Sequence, residues 1–134
     1  MPDAPYFAKL DDLPKKVGLD GYFKRTALVS DHALFQPVWV EPHHPPVPTD
    51  QHPFDQTVFV FSGTLELILD KHDRYVLEAG DFLYIPANVP HDAKVLGDEP
   101  VRALDVFAPV REEYLANAAH QLEAAKSASS EGVR

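Results

Sequence analysis

Histidines, carboxylates and amides carry the reactive chemistry of this sequence, and their spacing narrows what that chemistry is. Histidine stands at 32, 43, 44, 52, 72, 91 and 120, and cysteine is absent. Disulfides, thiolate nucleophiles and thiolate metal sites are thereby excluded, so a bound metal must be held by nitrogen and oxygen. The segment Asp50-Gln51-His52-Pro53-Phe54-Asp55-Gln56 leads into an apolar run that ends at Gly63. On an extended chain, residues two or four apart share a side, so Asp50, His52 and Gln56 can face one cavity with two oxygens and an imidazole. Another imidazole, His91, closes the stretch Gly80-Asp81-Phe82-Leu83-Tyr84-Ile85-Pro86-Ala87-Asn88-Val89-Pro90, whose prolines stiffen the backbone. Asn88 tolerates the left-handed conformation that a turn there needs. The same D-x-H-x3-Q spacing also fits a turn followed by a polar strand face that holds no metal. His43 and His44 are adjacent, so at most one can look inward from an extended chain, and a solvated loop is the simpler reading. His32, His72 and His120 lie in polar turn-like or helical contexts and are expected at the surface.

Strands are the elements that must position these groups. Thirteen prolines and six glycines break the chain at short intervals, and runs of Val, Ile, Leu, Phe and Tyr lie between them. Strands are predicted over 22–29, 33–40, 57–61, 64–70, 73–79, 82–85 and 101–107. Within 64–70, Leu65, Leu67 and Leu69 alternate with Thr64, Glu66 and Ile68, the pattern of a half-buried antiparallel strand, with turns at Ser62-Gly63 and Asp70-Asp73. Short strands with turns every ~8–12 residues indicate an all-β sandwich or barrel. Near the end, Leu115, Ala118, Ala119 and Leu122 share one face at helical spacing. The organisation expected is an N-terminal arm over 1–20, a barrel over 21–110, a helix over 111–127 and a flexible tail over 128–134. Phe54, Phe59, Phe61, Phe82 and Tyr84 are expected to pack the core or rim.

Composition removes several classes of function. The chain has 134 residues, with 21 Asp and Glu against 12 Lys and Arg, a net charge of −9. With 45% hydrophobic residues it can bury a core, as disordered chains of similar charge cannot. The acidic surplus, uninterrupted by any basic run, argues against a nucleic-acid partner. Apolar stretches such as Val58 to Phe61 fall far short of the ~20 residues of a spanning helix, so no membrane is expected. The opening MPDAPYFAKLDDLPK lacks the apolar core of a secretory signal, and a cytoplasmic location is expected.

With these residues in view, the sequence resembles a single-domain cupin, a small double-stranded β-helix or jelly-roll barrel whose two motifs face each other and hold a divalent metal. The first family motif reads G, five residues, H-x-H, three or four residues, E, six residues, G. Asp50, His52, Gln56 and Gly63 align with it. The second reads G, five residues, P-x-G, two residues, H, three residues, N, and Gly80, Pro86 and His91 align with it. The departures are Asp50 for the first His, Gln56 for Glu, Asn88 for Gly and Val95 for the last Asn. The resemblance therefore implies a metal held by Asp50, His52, Gln56 and His91. Asp50 keeps the single formal negative charge of the usual ligand set. The ion expected is Mn, Fe, Ni, Co or Zn, all of which such ligands suit.

A second likeness lies in Leu104-Asp105-Val106-Phe107-Ala108-Pro109-Val110-Arg111, which is similar to the D-V-F-S-P-P-R ending of cupins of the pectin-degradation type. In those proteins the Asp, Phe and Arg line the pocket, and the reaction opens a 4,5-unsaturated uronate ring to its linear keto acid. Carried over, Asp105 shuttles protons, and Phe107 and Arg111 bind the substrate, with Arg111 as a fork for its carboxylate. Ala108 and Val110 depart from Ser and Pro. A plainer alternative has Arg111 bridging Asp105 at a strand end. The function this implies is a metal-dependent enzyme acting on a small oxygenated, carboxylated substrate. Asp50, His52 and His91 also form the two-His, one-carboxylate set of non-haem Fe(II) dioxygenases, a second expectation, and a non-catalytic binding barrel is the third. Family analogy further implies a homodimer, with Trp39 at its seam.

Overall fold

The alternating runs fold as two antiparallel sheets that share one apolar interior. The computed structural model describes residues 2–131. In chain order the strands are β1 (Lys16–Gly18), β2 (Phe23–Arg25), β3 (Leu28–Val29), β4 (Leu34–Val40), β5 (Asp55–Ser62), β6 (Thr64–Leu69), β7 (Asp73–Leu77), β8 (Phe82–Ile85), β9 (His91–Leu96) and β10 (Val101–Ala108). A 3-10 segment, Glu112–Ala118, and the helix α1, Ala119–Glu131, follow. The seven-stranded sheet runs β1-β2-β4-β10-β5-β8 with β3 beside β4, and the three-stranded sheet runs β7-β6-β9. This is the all-β jelly-roll barrel with a C-terminal helix that the sequence predicts.

Alternation decides what faces inward. On β4 the inward set is Leu34, Gln36, Val38 and Val40, and on β5 it is Gln56, Val58 and Val60, all buried. The large sheet gives Val38, Val58 and Val101 to the core, and the small sheet gives Leu65, Leu67 and Val95. A second cluster closes the other end, where Ala27, Val29, Leu34, Phe107 and Ala118 pack with Tyr114, Leu115 and Leu122. The α1 residue Gln121 fastens this lid. Its amide accepts from Val29 N at 2.7 Å and donates to Val29 O at 2.9 Å, an imitation of strand pairing on β3.

Several elements depart from the sequence reading for physical reasons. The run 22–29 divides into β2 and β3, because Pro37 on β4 offers no N–H there and Ala27 N turns to Asn117 O at 3.2 Å. The arm contributes β1, which pairs with β2, and His91–Leu96 is a strand. The helix expected over 111–127 begins as a 3-10 segment and becomes α-helical only at Ala119, so the 3.6-residue phase does not hold across it and Ala119 faces solvent. Of the tail expected over 128–134, residues 128–131 belong to α1 and 132–134 lie outside the described residues. His120 is half-buried rather than a surface residue, with Nδ1 2.9 Å from Tyr6 Oη and Nε2 3.2 Å from Thr26 Oγ1. No helix among the described residues is long and apolar enough to cross a membrane.

Gly63, between β5 and β6, adopts φ +77°, and a Cβ there would run into the Pro100 carbonyl, with Val101 Cα 3.0 Å away. Backbone atoms cannot move aside as a flexible side chain would. Gly63→Ala is therefore expected to destabilise the protein by about 3 kcal/mol, combining positive-φ strain with overpacking. The check is the urea midpoint against wild type, and a change within about 0.5 kcal/mol would refute this account.

Candidate functional site

Two strand ends are zipped together at the site. Asp50 and His91 form an antiparallel bridge, with Asp50 N to His91 O at 3.0 Å and His91 N to Asp50 O at 2.9 Å. One turn away, Asn88 takes φ +68°, donates its N–H to His52 O at 2.7 Å and accepts the Gln51 side-chain amide at 2.9 Å. The two motif segments, far apart in sequence, therefore meet through backbone bonds, and the orientation of their side chains follows.

Each imidazole is oriented by a carbonyl. His52 Nδ1 is 2.9 Å from Phe54 O and His91 Nδ1 is 3.0 Å from Val89 O. A carbonyl only accepts, so both Nδ1 atoms carry the proton and both Nε2 atoms turn a lone pair to the site. Asp50 Oδ2 lies 3.9 Å from each Nε2. The stacked Phe54 ring, 4.5 Å from the His52 ring centre, and the edge of Phe107 fix His52 further. Asp50, His52 and His91 present ligand atoms within 4.8 Å of one another, a candidate metal-binding triad.

Gln56 adds a fourth oxygen. Its Nε2 donates to Asp105 Oδ1 at 3.2 Å, which leaves Oε1 facing His52 Nε2 at 3.1 Å. Two acceptors at that separation repel unless a cation, either a proton or a metal ion, lies with them. The donor chemistry of Asp50, His52, Gln56 and His91 thus fits a divalent ion. Gln36 Nε2 donates to the other Asp105 oxygen at 3.1 Å. Burial drives Asp105 upward, and it is pushed up to about 6 although Gln36, Gln56 and the Arg111 charge all pull it down.

Arg111 is committed to Asp50. Its Nη1 is 3.1 Å from Asp50 Oδ2 and its Nη2 3.4 Å from Oδ1, while Nε donates to Glu113 at 2.7 Å. The guanidinium lies 4.2 Å from the Tyr114 ring centre and 5.0 Å from that of Phe107. The fork that the resemblance assigns to a substrate carboxylate is filled by the chain itself, and its partner is Asp50, not Asp105. Burial raises the Asp50 carboxyl, but the Arg111 bonds and charge outweigh it, with help from both imidazoles, and hold it below the ordinary carboxylate range. Asp50, Gln56, His91, Asp105, Phe107 and Arg111 all line one cavity of about 450 Å³.

The remaining histidines stand apart from this group. His43 pairs with Asp98, His44 Nε2 accepts Val95 N at 3.0 Å, and His32 and His72 are exposed. Sequence reasoning missed Gln36, although a polar residue in the inward phase of Leu34, Val38 and Val40 was a readable signal. It also missed Arg25 and Lys16, which line the cavity from strands too short to show a period.

The barrel and its facing motif segments define a cupin. A family model described as "Cupin domain" matches residues 38–107, and the chain belongs to that family. Among solved structures it is similar to an RmlC-like cupin from Shewanella frigidimarina NCIMB 400, at 23% identity and TM-score 0.71 over 85% of this chain and 99% of that one. It is also similar to KdgF from Halomonas sp., at 21% identity and TM-score 0.69 over 81% of this chain and 98% of that one. FeII HppE matches at 18% identity and TM-score 0.66, over 80% of this chain and 62% of that one. At these identities the likenesses establish the fold. No curated protein matches the sequence.

The raised Asp105 carboxyl has a consequence for stability. The folded state keeps a proton that the unfolded chain, with its carboxyl near 3.8, gives up, so metal-free protein loses stability as pH rises from about 4 to about 6. Asp105→Asn is expected to remove that decline, because Gln36 can turn its amide and offer Oε1, which is buried without a partner, to the new N–H. The variant should gain up to about 3 kcal/mol on wild type between pH 4 and pH 7. Urea unfolding across that range checks it, and parallel pH profiles would contradict the burial of Asp105 as an ionisable acid.

Proposed function

We propose that this chain is a metal-dependent enzyme that moves a proton on a small oxygenated, carboxylated substrate, and that opening of a 4,5-unsaturated uronate ring is its reaction. The observation that carries the reading is the bond between Asp105 and Gln56. It joins a carboxyl that changes charge near neutral pH to the candidate metal donors, inside one cavity. Asp50, His52, Gln56 and His91 would hold the divalent ion, which when bound supplies Lewis acidity toward a substrate oxygen.

The other steps belong to the protein. Ring opening requires the hemiacetal O–H to lose its proton, the ring C–O bond to break and the enol carbon to gain a proton. Asp105, ionised, takes the first proton and, protonated, returns one to carbon, so no outside acid is needed. Gln36 and Gln56 fix its two oxygens against rotation. Arg111 keeps Asp50 ionised and in place, and Phe107 lines the cavity against the His52 ring. A second reading is favoured by one observation: Asp50, His52 and His91 alone form a two-His, one-carboxylate triad, the ligand set of Fe(II) oxygenases.

The experiment begins with elemental analysis of protein purified without a His-tag column, beside His52→Ala and His91→Ala. Near-stoichiometric metal is expected in wild type and its loss in both variants. Metal-loaded wild type should bleach the enol absorbance of an unsaturated uronate faster than buffer does, equally in air and under argon, with Asp105→Asn slower by at least about 100-fold. Activity that needs oxygen and iron would replace ring opening with oxygenation. A wild type that takes up no metal on reconstitution would end both enzymatic readings.

A further inference from the structure

Arg25 stands out among the cations. Of the described arginines, Arg74 holds Glu66, Arg102 holds Asp11 and Arg111 holds Asp50 and Glu113. Arg25 holds no carboxylate among the described residues. Its register partner on β4 is Val38, a core residue, so its side chain leaves the sheet on the inward face and lines the cavity. There the half-buried guanidinium rests on aromatic rings, 4.5 Å from Tyr114 and 5.7 Å from Phe23, and makes no hydrogen bond with a described residue. Stacking orients the fork and leaves its N–H donors free.

The neighbouring charge repeats the pattern. Lys16 on β1 is the register partner of Arg25, lines the same cavity and has no carboxylate partner among the described residues. Like charges directly opposite on paired strands repel, and opposite charges would have stabilised the pair. Arg111 touches the same Tyr114 ring, so two guanidinium groups share that ring while Lys16 lines the same cavity, and of the three only Arg111 has a carboxylate partner among the described residues. An anion in the cavity would relieve that repulsion and satisfy the free fork. The nearby wall is apolar, with Phe23, Val38, Val40 and Val101, which suits the hydrocarbon part of an organic acid.

We infer that Arg25, with Lys16 behind it, is the carboxylate-recognition site of the cavity, and that the ligand is an organic acid whose planar anion meets the Arg25 fork while C–H groups of its carbon skeleton lie on the valine wall. This rests on the proposed function only in taking the cavity as the substrate site. It gives the carboxylate to Arg25 in place of Arg111.

Calorimetric titration with hexanoate and its uncharged analogue hexanamide tests the inference without turnover, in protein with and without chelator. Wild type is expected to prefer hexanoate by about tenfold or more, with or without chelator. Arg25→Met should bring the ratio to about one while leaving hexanamide affinity within about twofold, Arg25→Lys should keep part of the preference, and Lys16→Met should lower it about two- to threefold. The ratio separates recognition from a merely structural role, since a buttress for Tyr114 would weaken both ligands together. If Arg25→Met proves unstable, Arg25→Lys decides through the same ratio. Equal binding by wild type, no binding of hexanoate, or a preference that survives in Arg25→Met would overturn the inference. A preference abolished by chelator alone would overturn it too and leave the metal reading standing, whereas absence of metal with the Arg25-dependent preference intact would do the reverse.

Discussion

A polar layer buried inside an apolar barrel is the constraint on which the rest of the structure depends. Gln36, His52, Gln56, His91 and Arg111 are all buried, with Asp105 between them, and apolar clusters lie on both sides. A buried donor or acceptor left without a partner costs about 1–3 kcal/mol, so a layer of this size survives only when nearly every atom is used. Here the two imidazoles consume carbonyls, the two glutamine amides consume both Asp105 oxygens, and Arg111 consumes Asp50. Gln36 Oε1 is the one buried side-chain atom among the described residues without a partner. What this network leaves uncommitted to it are lone pairs on His52, His91, Gln56 and Asp50, a candidate donor set for a cation.

Asp50 illustrates how one residue reorganises its neighbours. An aspartate brings a full negative charge to a position half open to the cavity, and Arg111 answers it with both terminal nitrogens. The pair is more than a surface ion pair, because the guanidinium is buried under Phe54, Phe107 and Tyr114 and cannot exchange freely with water. Asp50 Oδ1 accepts from Gln51 N and Arg111, while Oδ2 remains the oxygen nearest both imidazoles. The arginine therefore does for the carboxylate what the Phe54 and Val89 carbonyls do for the histidines: it removes rotational freedom from a ligand atom.

Much of this was legible in the sequence, and what was not has a physical reason. The leucines of β6 and the shared side of Asp50, His52 and Gln56 are short-range signals, since strand periodicity is encoded locally, whereas His91 joined them only through the resemblance to a family motif. The partner of Arg111 was not legible. The fork could meet Asp105, a substrate or Asp50, and only the crossing of the chain after β10 with the loop before β5 decides among them. The phase of the C-terminal helix failed because a 3-10 start has three residues per turn, and the site residues of β1 and β2 failed because strands of three residues carry no period. Local patterns place elements, whereas pairings between distant loops place charges.

Charge accounts for the character of the cavity as a whole. Asp50 and Arg111 pair, and Asp105 is a carboxyl pushed up to about 6 by burial. Around this near-neutral layer stand Arg25 and Lys16, so the cavity wall is cationic while the chain as a whole carries −9. Low-dielectric walls concentrate that local field, and a divalent ion on the acceptor atoms would strengthen it. On the proposed reading, anions repelled by the acidic exterior at long range would be attracted once inside, which would favour small acids that fit within about 450 Å³ over large polyanions that cannot leave the surface field behind. The guanidinium of Arg25 thus stands half-buried inside the cavity of a chain whose overall charge is negative.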